Sequence, residues 1–341
     1  MNKITAISAL SALSLALSVP AQTHTRSPLV LGQDASFGVE SATPGSIMLL
    51  GLGATGLGAG SCFPNPISVC LGILEPVVYF PALVVDGSGE ASHDLVLPST
   101  LPLVPLATQA MMFDLSGGFS VTTTNAIEGP IVPLSAWSDS FDGTELDASW
   151  SIYNSHLLDY SVSGGELHLR PTQSGPPVTW YADGEGPLVY KLVRGDFDVR
   201  ATVRAYVPGS PGQAPPATFR MGGISLRDPS SVAGNRNWLH VSVGSGDLAR
   251  PVAVEDKTTQ MSNSNLQLTA LSSPSAEIRA VRSGNDVTFY YRENAAAAWT
   301  ALRTFARPDL PPTIQVGLMV YSWDSPNTVQ ASFEEITFAN L

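Results

Sequence analysis

The clearest signal in the chain is an alternation of apolar and polar residues in its C-terminal two thirds. It runs through residues 199–206 (VRATVRAY), 238–243 (WLHVSV) and 314–321 (IQVGLMVY). A period of two is typical of β-strands that bury one face. The stretch 283–286 (SGND) separates two such runs and indicates a hairpin. About a dozen strands of this kind predict two packed antiparallel sheets, most simply a jelly roll.

The first part of the chain has a different composition. Residues 22–135 contain one basic residue, Arg26, against eight acidic ones, and this composition changes near the Pro-rich stretch 128–133 (EGPIVP). Short apolar runs at 46–50, 77–85, 92–97, 109–115 and 119–124 are spaced by Gly and Pro. These features predict a small β-sandwich domain over 22–135, followed by a larger β-sandwich domain over 136–341.

The first 21 residues have the pattern of a secretory signal peptide. Lys3 supplies the positive charge, residues 4–19 are apolar, and residues 19–21 (VPA) offer small side chains for cleavage. The alternative is a membrane anchor, but this apolar stretch is short for about 30 Å of hydrocarbon. We expect a mature chain that starts at Gln22, without a transmembrane segment, secreted or held at the surface of a bacterial cell.

Charge and composition exclude several classes of function. The chain has 17 basic and 29 acidic residues, a net charge of −12. Nucleic-acid binding relies on clustered Lys and Arg, so no nucleic-acid partner is expected. The 30 Gly and 27 Pro residues favour short strands and turns over helices. For the same reason the stretch 51–56 (GLGATG), which matches a dinucleotide fingerprint, is interpreted as strand and turn, because no helix can follow it.

Cys62 and Cys70 are the two cysteines of the chain. In an exported protein, an even pair eight residues apart predicts a disulfide rather than a metal site or a redox motif. Its expected role is structural, because it would close the loop between them.

Several segments of residues 137–341 resemble, in order, the concanavalin A-like lectin and glucanase superfamily, in particular its laminin-G-like and uncharacterised members. They are 139–143 (DSFDG), 195–199 (GDFDV), 222–228 (GGISLRD), 237–241 (NWLHV), 316–320 (VGLMV) and 333–336 (FEEI). The resemblance implies a jelly-roll sandwich and carbohydrate as the ligand class. The N-terminal part is loosely similar to an uncharacterised Gly- and Pro-rich module of secreted bacterial proteins.

The glucanases of this superfamily are similar to one another in a Glu-x-Asp-x-Glu strand that supplies two carboxylates. A retaining glycosidase needs such a pair about 5 Å apart. The nearest match here is Glu145-x-Asp147-x-Ser149, which has a serine in the place of the second glutamate and is expected in the entry loop rather than on a sheet strand. No nucleophile elbow and no metalloprotease histidine spacing occurs either. From these absences we expect a protein that is not an enzyme.

Sugar binding needs aromatic platforms and planar hydrogen-bond donors, and two groups of residues are candidates. Alternation places Arg227, Trp238 and His240 on the polar face of two neighbouring strands. The other group lies at strand ends, where rim loops gather: Trp180, Tyr181, Tyr321 and Trp323. The alternative is that Trp238 completes a core layer, that His240 is solvated, and that Arg227 pairs with Asp228 to hold a turn.

A structural calcium ion is a second expectation, although no cofactor is required. Relatives in the superfamily often bind one ion where the first and last strands meet, which implies Asp139 or Asp142 together with Glu334 or Glu335. Carboxylate oxygens suit Ca²⁺. The alternative is a pair of solvated acidic turns.

The sequence therefore predicts a secreted, non-catalytic protein that recognises extracellular polysaccharide or glycan through its C-terminal jelly roll. Two alternatives stay open. One is a structural or adhesion protein that contacts cell-envelope components and has no sugar ligand. The other is an unrecognised glycoside hydrolase.

Overall fold

The computed structural model describes residues 22–65, 67–176 and 178–341, and the secondary structure in these ranges is almost entirely β. The expectation of an all-β chain is confirmed. The predicted signal peptide, residues 1–21, lies outside the described residues. Within them, no helix is long and apolar enough to cross a membrane.

The chain divides into two compact units. The N-terminal unit comprises residues up to Pro28 together with Ser36–Leu95 and Val104–Pro130. The C-terminal unit comprises Leu29–Ala35, Val96–Leu103 and Ile131–Leu341. Two segments that precede residue 135 thus belong to the C-terminal unit. Independent folding of 136–341 stays a prediction.

Ten short strands lie between residues 23 and 132 of the described chain. They are β1 (Thr23–Arg26), β2 (Leu29–Val30), β3 (Asp34–Glu40), β4 (Ile47–Gly53), β5 (Val77–Tyr79), β6 (Leu83–Val84), β7 (Ala91–Val96), β8 (Pro105–Asp114), β9 (Ser120–Thr123) and β10 (Ile127–Val132). One sheet of the N-terminal unit has the order β1-β3-β7, and a second contains β10-β8-β4-β5, with β6 and β9 on its margins. Alternate residues of β4 and β8, such as Met48, Leu50, Ala110 and Met112, fill the core.

The Cys62–Cys70 disulfide is present, which confirms the sequence-based prediction. It joins two chain segments that run antiparallel at this point. Phe63 N donates to the carbonyl of Val69, so the bridged loop is also closed by the backbone. The cross-link therefore fixes a short loop of the N-terminal unit.

Replacing both cysteines with serine is expected to lower the free energy of unfolding by about 2.5 kcal/mol, the chain-entropy value for so short a loop. Urea denaturation with and without reductant measures this difference. Reduced wild-type protein serves as the control and should match the variant. Labelling of both cysteines by a thiol reagent, without denaturant or reductant, would show that the bridge is absent.

The remaining strands belong to the C-terminal unit. They are β11 (Ser151–Tyr153), β12 (Leu158–Ser163), β13 (Glu166–Pro171), β14 (Leu188–Arg194), β15 (Phe197–Tyr206), β16 (Arg220–Arg227), β17 (Trp238–Ser245), β18 (Ala253–Gln260), β19 (Asn263–Ala270), β20 (Ser275–Ser283), β21 (Asp286–Arg292), β22 (Thr300–Ala306), β23 (Thr313–Ser322) and β24 (Gln330–Ala339). Short 3-10 helices occupy Leu134–Trp137, Ser155–Leu157 and Pro326–Thr328.

These strands form two antiparallel sheets, each with seven strands among the described residues. The front sheet has the order β11-β14-β23-β16-β17-β18-β19, and the back sheet the order β12-β13-β24-β15-β20-β21-β22. The core between them contains the inward residues that alternation predicted, among them Val199, Val203, Val241 and Val316. This is the β-sandwich expected from the sequence. Membership in the concanavalin A-like superfamily stays a prediction.

Strands β16 and β17 are buried along their whole length, on both faces. A strand with one face in the core and one in water would show alternating burial instead. The outer face of the front sheet is therefore covered. Residues 178–187, here called the covering segment, lie over it: Trp180 is fully buried and packs edge-on against Trp238, with ring centroids 5.4 Å apart.

Candidate functional site

A second apolar cluster lies on the outer face of the front sheet, opposite the main core. Its members come from the covering segment and from six strands of the sheet: Trp180, Leu188, Met221, Trp238, Ala253, Leu268, Met319 and Tyr321. The outward positions of these strands carry large apolar and aromatic residues, so they are removed from water only when another segment packs on them. The covering segment does this.

Arg227, Trp238 and His240 all lie on this outer face, and Arg227 is the direct cross-strand partner of Trp238. Their position corrects one expectation from the sequence, because none of the three forms a surface platform. Arg227 is 3 % exposed, and Trp238 and His240 are 0 % exposed. Alternation identified the face correctly as the one opposite the core, but it carried no information about the segment that covers it.

Arg227 holds the covering segment in place. Its guanidinium donates through Nε to Glu185 Oε1 at 2.7 Å and through Nη2 to Glu185 Oε2 at 3.2 Å. Arg236 also contacts Glu185 Oε2, at 2.9 Å, and the hydroxyl of Tyr153 donates to the same atom. The carboxylate of Asp228 instead accepts from the amide and hydroxyl of Ser230 and shapes a turn. Arg227 therefore links the covering segment to strand β16 of the front sheet.

Four polar side chains form a hydrogen-bonded network beneath the covering segment. Glu255 Oε1 is the common acceptor: it lies 2.7 Å from His240 Nε2, 2.9 Å from Lys257 Nζ and 2.8 Å from the hydroxyl of Tyr321. A carboxylate can only accept, so His240 carries its proton on Nε2. All four side chains are buried.

Burial and charge together set the protonation of this network. Burial alone would raise the pKa of Glu255, but Lys257 and the hydrogen bond from His240 lower it to about 2. Burial, with a contribution from Lys257, lowers the pKa of His240 to about 4. Burial and the neighbouring Glu255 raise the pKa of Tyr321 well above its ordinary value. At neutral pH the network therefore holds one anion and one cation, Glu255 and Lys257, with His240 neutral.

A cavity of about 370 Å³ opens beside this network. Its described lining residues come from the covering segment, the residues that precede β16, strands β18 and β19, and the end of β23 with the residue that follows it: Thr179, Trp180, Tyr181, Thr218, Phe219, Lys257, Leu266, Tyr321 and Trp323. The four rim aromatics predicted from the sequence, Trp180, Tyr181, Tyr321 and Trp323, thus line one cavity. Whether they bind a ligand stays a prediction.

Tyr181 and Trp323 are the accessible aromatic side chains of this cavity. They are 44 % and 36 % exposed, and their rings meet edge to face at 5.9 Å between centroids. Trp180 and Tyr321 are buried behind them. The cavity therefore has an aromatic mouth and an aromatic wall.

The backbone around this mouth is held in an unfavourable conformation. Ala182, which follows Tyr181, has φ of 52°, and Phe219 in the cavity lining has φ of 49°. Such left-handed conformations cost energy in residues other than glycine and cluster at functional sites. Hydrogen bonds stabilise both: Ala182 N donates to Ser264 Oγ, and Phe219 O accepts from Trp323 N.

Sequence analysis missed Phe219, Lys257 and Glu255. The available signal was in β18 (AVEDKTTQ), where charged residues occupy every position of 255–257 within a strand-like stretch. Charged residues in a strand are usually exposed. Their actual burial depends on long-range partners, which the local pattern does not reveal.

Asp139, the first of the predicted calcium ligands, lies beside the last strand, because its backbone pairs with that of Ile336, the residue after Glu335. Asp139 Oδ1 accepts from the amide of Phe141, and its Oδ2 accepts from Trp150 Nε1 at 2.8 Å. Asp142 accepts from the hydroxyl of Ser140, while Glu334 and Glu335 are exposed and line a different cavity. In the described ranges no group of three or more His, Cys, Asp or Glu side chains could hold a metal ion. A calcium site stays a prediction.

Comparisons with known proteins find similarity among solved structures, at low sequence identity. No family model matches the chain, and no curated protein matches it. Among solved structures, the GH43 protein BlXynB from Bacillus licheniformis is 13 % identical over 70 % of this chain, with a TM-score of 0.48. The chain covers 51 % of that protein, about half its length.

Two further structures have similar statistics. A xylan beta-1,4-xylosidase from Bacillus halodurans C-125 is 11 % identical, with a TM-score of 0.46. The match covers 93 % of this chain and 64 % of the xylosidase chain. A beta-1,3-glucanase from Mycobacterium marinum is 13 % identical, with a TM-score of 0.39. That match covers 59 % of this chain and 97 % of the glucanase chain. Identities and scores this low assign no activity or substrate to this chain.

The expectation that the chain is not an enzyme is contradicted by these matches and is withdrawn. Structures named as a xylosidase and a glucanase are among the chains it resembles. The expectation rested on the missing Glu-x-Asp-x-Glu strand and on the loop position of Glu145, Asp147 and Ser149. Ser149 indeed lies before β11, where its hydroxyl accepts from Lys191 Nζ. A missing motif of one enzyme group, however, does not exclude other catalytic arrangements.

Proposed function

We propose that the protein binds carbohydrate in the cavity on the outer face of the front sheet. The observation that carries this proposal is the pair Tyr181 and Trp323, two exposed aromatic rings at the mouth of a cavity of about 370 Å³. A volume of this size lies within the range of small-ligand sites, about 300–1,000 Å³. Exposed apolar side chains that adjoin one another, rather than lying singly on the surface, often mark a binding site.

The chemistry of the lining supports a sugar as the occupant. One face of a pyranose ring presents C–H groups that stack on aromatic rings, while its edge carries hydroxyls that form hydrogen bonds. The cavity offers aromatic rings at its mouth and hydroxyls from Thr179 and Thr218 within its lining. Such a mixture of apolar walls and a few polar groups is typical of small-molecule sites.

We propose further that the protein acts outside the cell, on extracellular polysaccharide or on glycans of the cell envelope. The Cys62–Cys70 disulfide supports an oxidising compartment. The predicted signal peptide supports the same location. The surplus of acidic residues favours ligands without a strong negative charge.

The test is titration of the protein with xylohexaose and laminarihexaose, followed by calorimetry and tryptophan fluorescence. Tyr181→Ala and Trp323→Ala are each expected to raise the Kd at least about tenfold, because a few aromatic side chains commonly supply most of the binding energy of a site. Tyr160→Ala is the matched control: Tyr160 is equally exposed but lies on β12 of the back sheet. It should leave the Kd unchanged.

The same mixtures are assayed for new reducing ends, so that hydrolysis is detected if it accompanies binding. Binding that survives both Tyr181→Ala and Trp323→Ala would place the site elsewhere. Absence of binding to either oligosaccharide, together with unchanged fluorescence, would contradict the proposal and favour a structural role in the cell envelope.

A further inference from the structure

Among the described residues that line the cavity, Lys257 alone carries a charge. It lies on β18 and is 2 % exposed, so its ammonium group is almost fully removed from water. A buried cation next to a ligand cavity normally attracts an anionic ligand. What surrounds Lys257 therefore decides which charge the cavity accepts.

The ammonium group of Lys257 has three hydrogens, and three acceptors surround it. Glu255 Oε1 lies at 2.9 Å, the carbonyl oxygen of Trp180 at 3.1 Å and the hydroxyl oxygen of Tyr321 at 3.4 Å. The ring of Tyr321 lies 5.0 Å from Nζ as well. A ligand carboxylate would have to displace one of these partners to bind Lys257 directly.

Glu255 balances the charge of Lys257 from behind the cavity wall. It is fully buried and does not belong to the lining, so it contributes its charge without contacting a ligand. Its other partners, His240 and Tyr321, are neutral, so the net charge of the network is zero. An anion that enters the apolar cavity thus loses its hydration and gains no net countercharge.

We propose that Glu255 sets the charge selectivity of the cavity, so that neutral sugar units bind and uronic acids are rejected. The inference rests on the proposed carbohydrate-binding function and adds the class of sugar. Removing the carboxylate charge while keeping its shape, as in Glu255→Gln, should leave Lys257 as an unbalanced cation that can pair with a uronic acid.

The test compares matched probes at low ionic strength: xylohexaose with a xylohexaose that carries one glucuronic acid, and laminarihexaose with its C6-oxidised form. The wild-type protein should prefer the neutral member of a pair by about tenfold or more. Glu255→Gln should reverse or abolish this preference, and the gained binding should weaken as salt is added. Glu145→Gln makes the same change of net charge on an exposed loop and should keep the wild-type preference.

The double variant Glu255→Gln/Lys257→Met provides a second test of the inference if the single variant does not fold. It removes both charges, so its neutral preference should stay within about threefold of the wild type. Wild-type protein that binds both members of a pair equally, or a double variant that loses the preference, overturns the inference. If the wild-type protein binds none of the probes, the proposed function fails instead.

Discussion

Trp238→Ala is expected to lower the free energy of unfolding by about 3–5 kcal/mol, the range for loss of a large buried aromatic side chain. Trp238 is 0 % exposed and is held between two rings. Trp180 meets it edge-on at 5.4 Å, and His240 stacks on it with 14° between the ring planes. Truncation leaves a cavity beneath the covering segment and removes packing from both neighbours. The melting temperature should fall on the order of 10 °C.

Thermal and urea unfolding of Trp238→Ala and Trp323→Ala side by side measures this effect. Trp323 is the matched control, because it lies at the cavity mouth and is partly exposed, so its loss should cost less than about 1 kcal/mol. The two tryptophans thus separate a stabilising role from a binding role. If Trp238→Ala has wild-type stability but no longer binds oligosaccharide, Trp238 is part of the ligand site instead.

The strands of the C-terminal unit were predictable because alternation is a local property. Val241 and Val316 point into the core as the pattern predicted. The covering of the opposite face was not predictable in the same way. The covering segment has no strand, and its position depends on contacts distant in sequence, such as those of Glu185 with Arg227 and of Trp180 with Trp238.

The cavity was partly predictable from residue type. Tyr181 and Trp323 stood out because aromatic residues at strand ends in a β-sandwich gather at its rim. Lys257 did not, because a lysine in a strand is most simply interpreted as solvated. Its burial is possible because Glu255 lies two residues away on the same face of β18, and this pairing is visible in the sequence only once β18 is known to be covered.

The division of the chain into two compact units could be predicted only in part from composition. The change of composition near residue 130 coincides with a border between the compact units. Segments 29–35 and 96–103 could not be assigned to the C-terminal unit from composition. Their placement depends on contacts distant in sequence: the amide of Gly32 donates to the carbonyl of Leu97, and the amide of Arg194 donates to Gln33 Oε1 at 2.6 Å.

Stability is expected to fall as the pH decreases from about 6.5 to 4, because of His240. Its pKa is about 4 in the folded protein, against 6.5 for an unperturbed histidine. Between these values the unfolded chain binds a proton that the folded chain does not, so acid favours unfolding. The full difference is on the order of 3 kcal/mol. Above pH 6.5 both states are neutral at this residue and the contribution is constant.

Glu255 continues the same trend at lower pH. Its pKa is about 2 in the folded protein, against 4.5 for an unperturbed glutamate. As the pH falls from 4.5 toward 2, the unfolded chain again binds a proton first, and further stability is lost. Burial lowers the pKa of His24 in the N-terminal unit as well, so that residue acts in the same direction as His240. The contribution of His240 must therefore be isolated by substitution.

The contribution of His240 is measured by urea denaturation at pH 7.5 and 4.5. Three proteins are compared: the wild type, His240→Gln and His156→Gln. Glutamine can still donate to Glu255 but does not titrate, so His240→Gln should lose about 2 kcal/mol of the wild-type difference between the two pH values. His156 is exposed in the 3-10 helix Ser155–Leu157, and its substitution should leave that difference unchanged. If His240→Gln keeps the full pH dependence, His240 is protonated in the folded network. Glu255 would then be balanced by two cations rather than one.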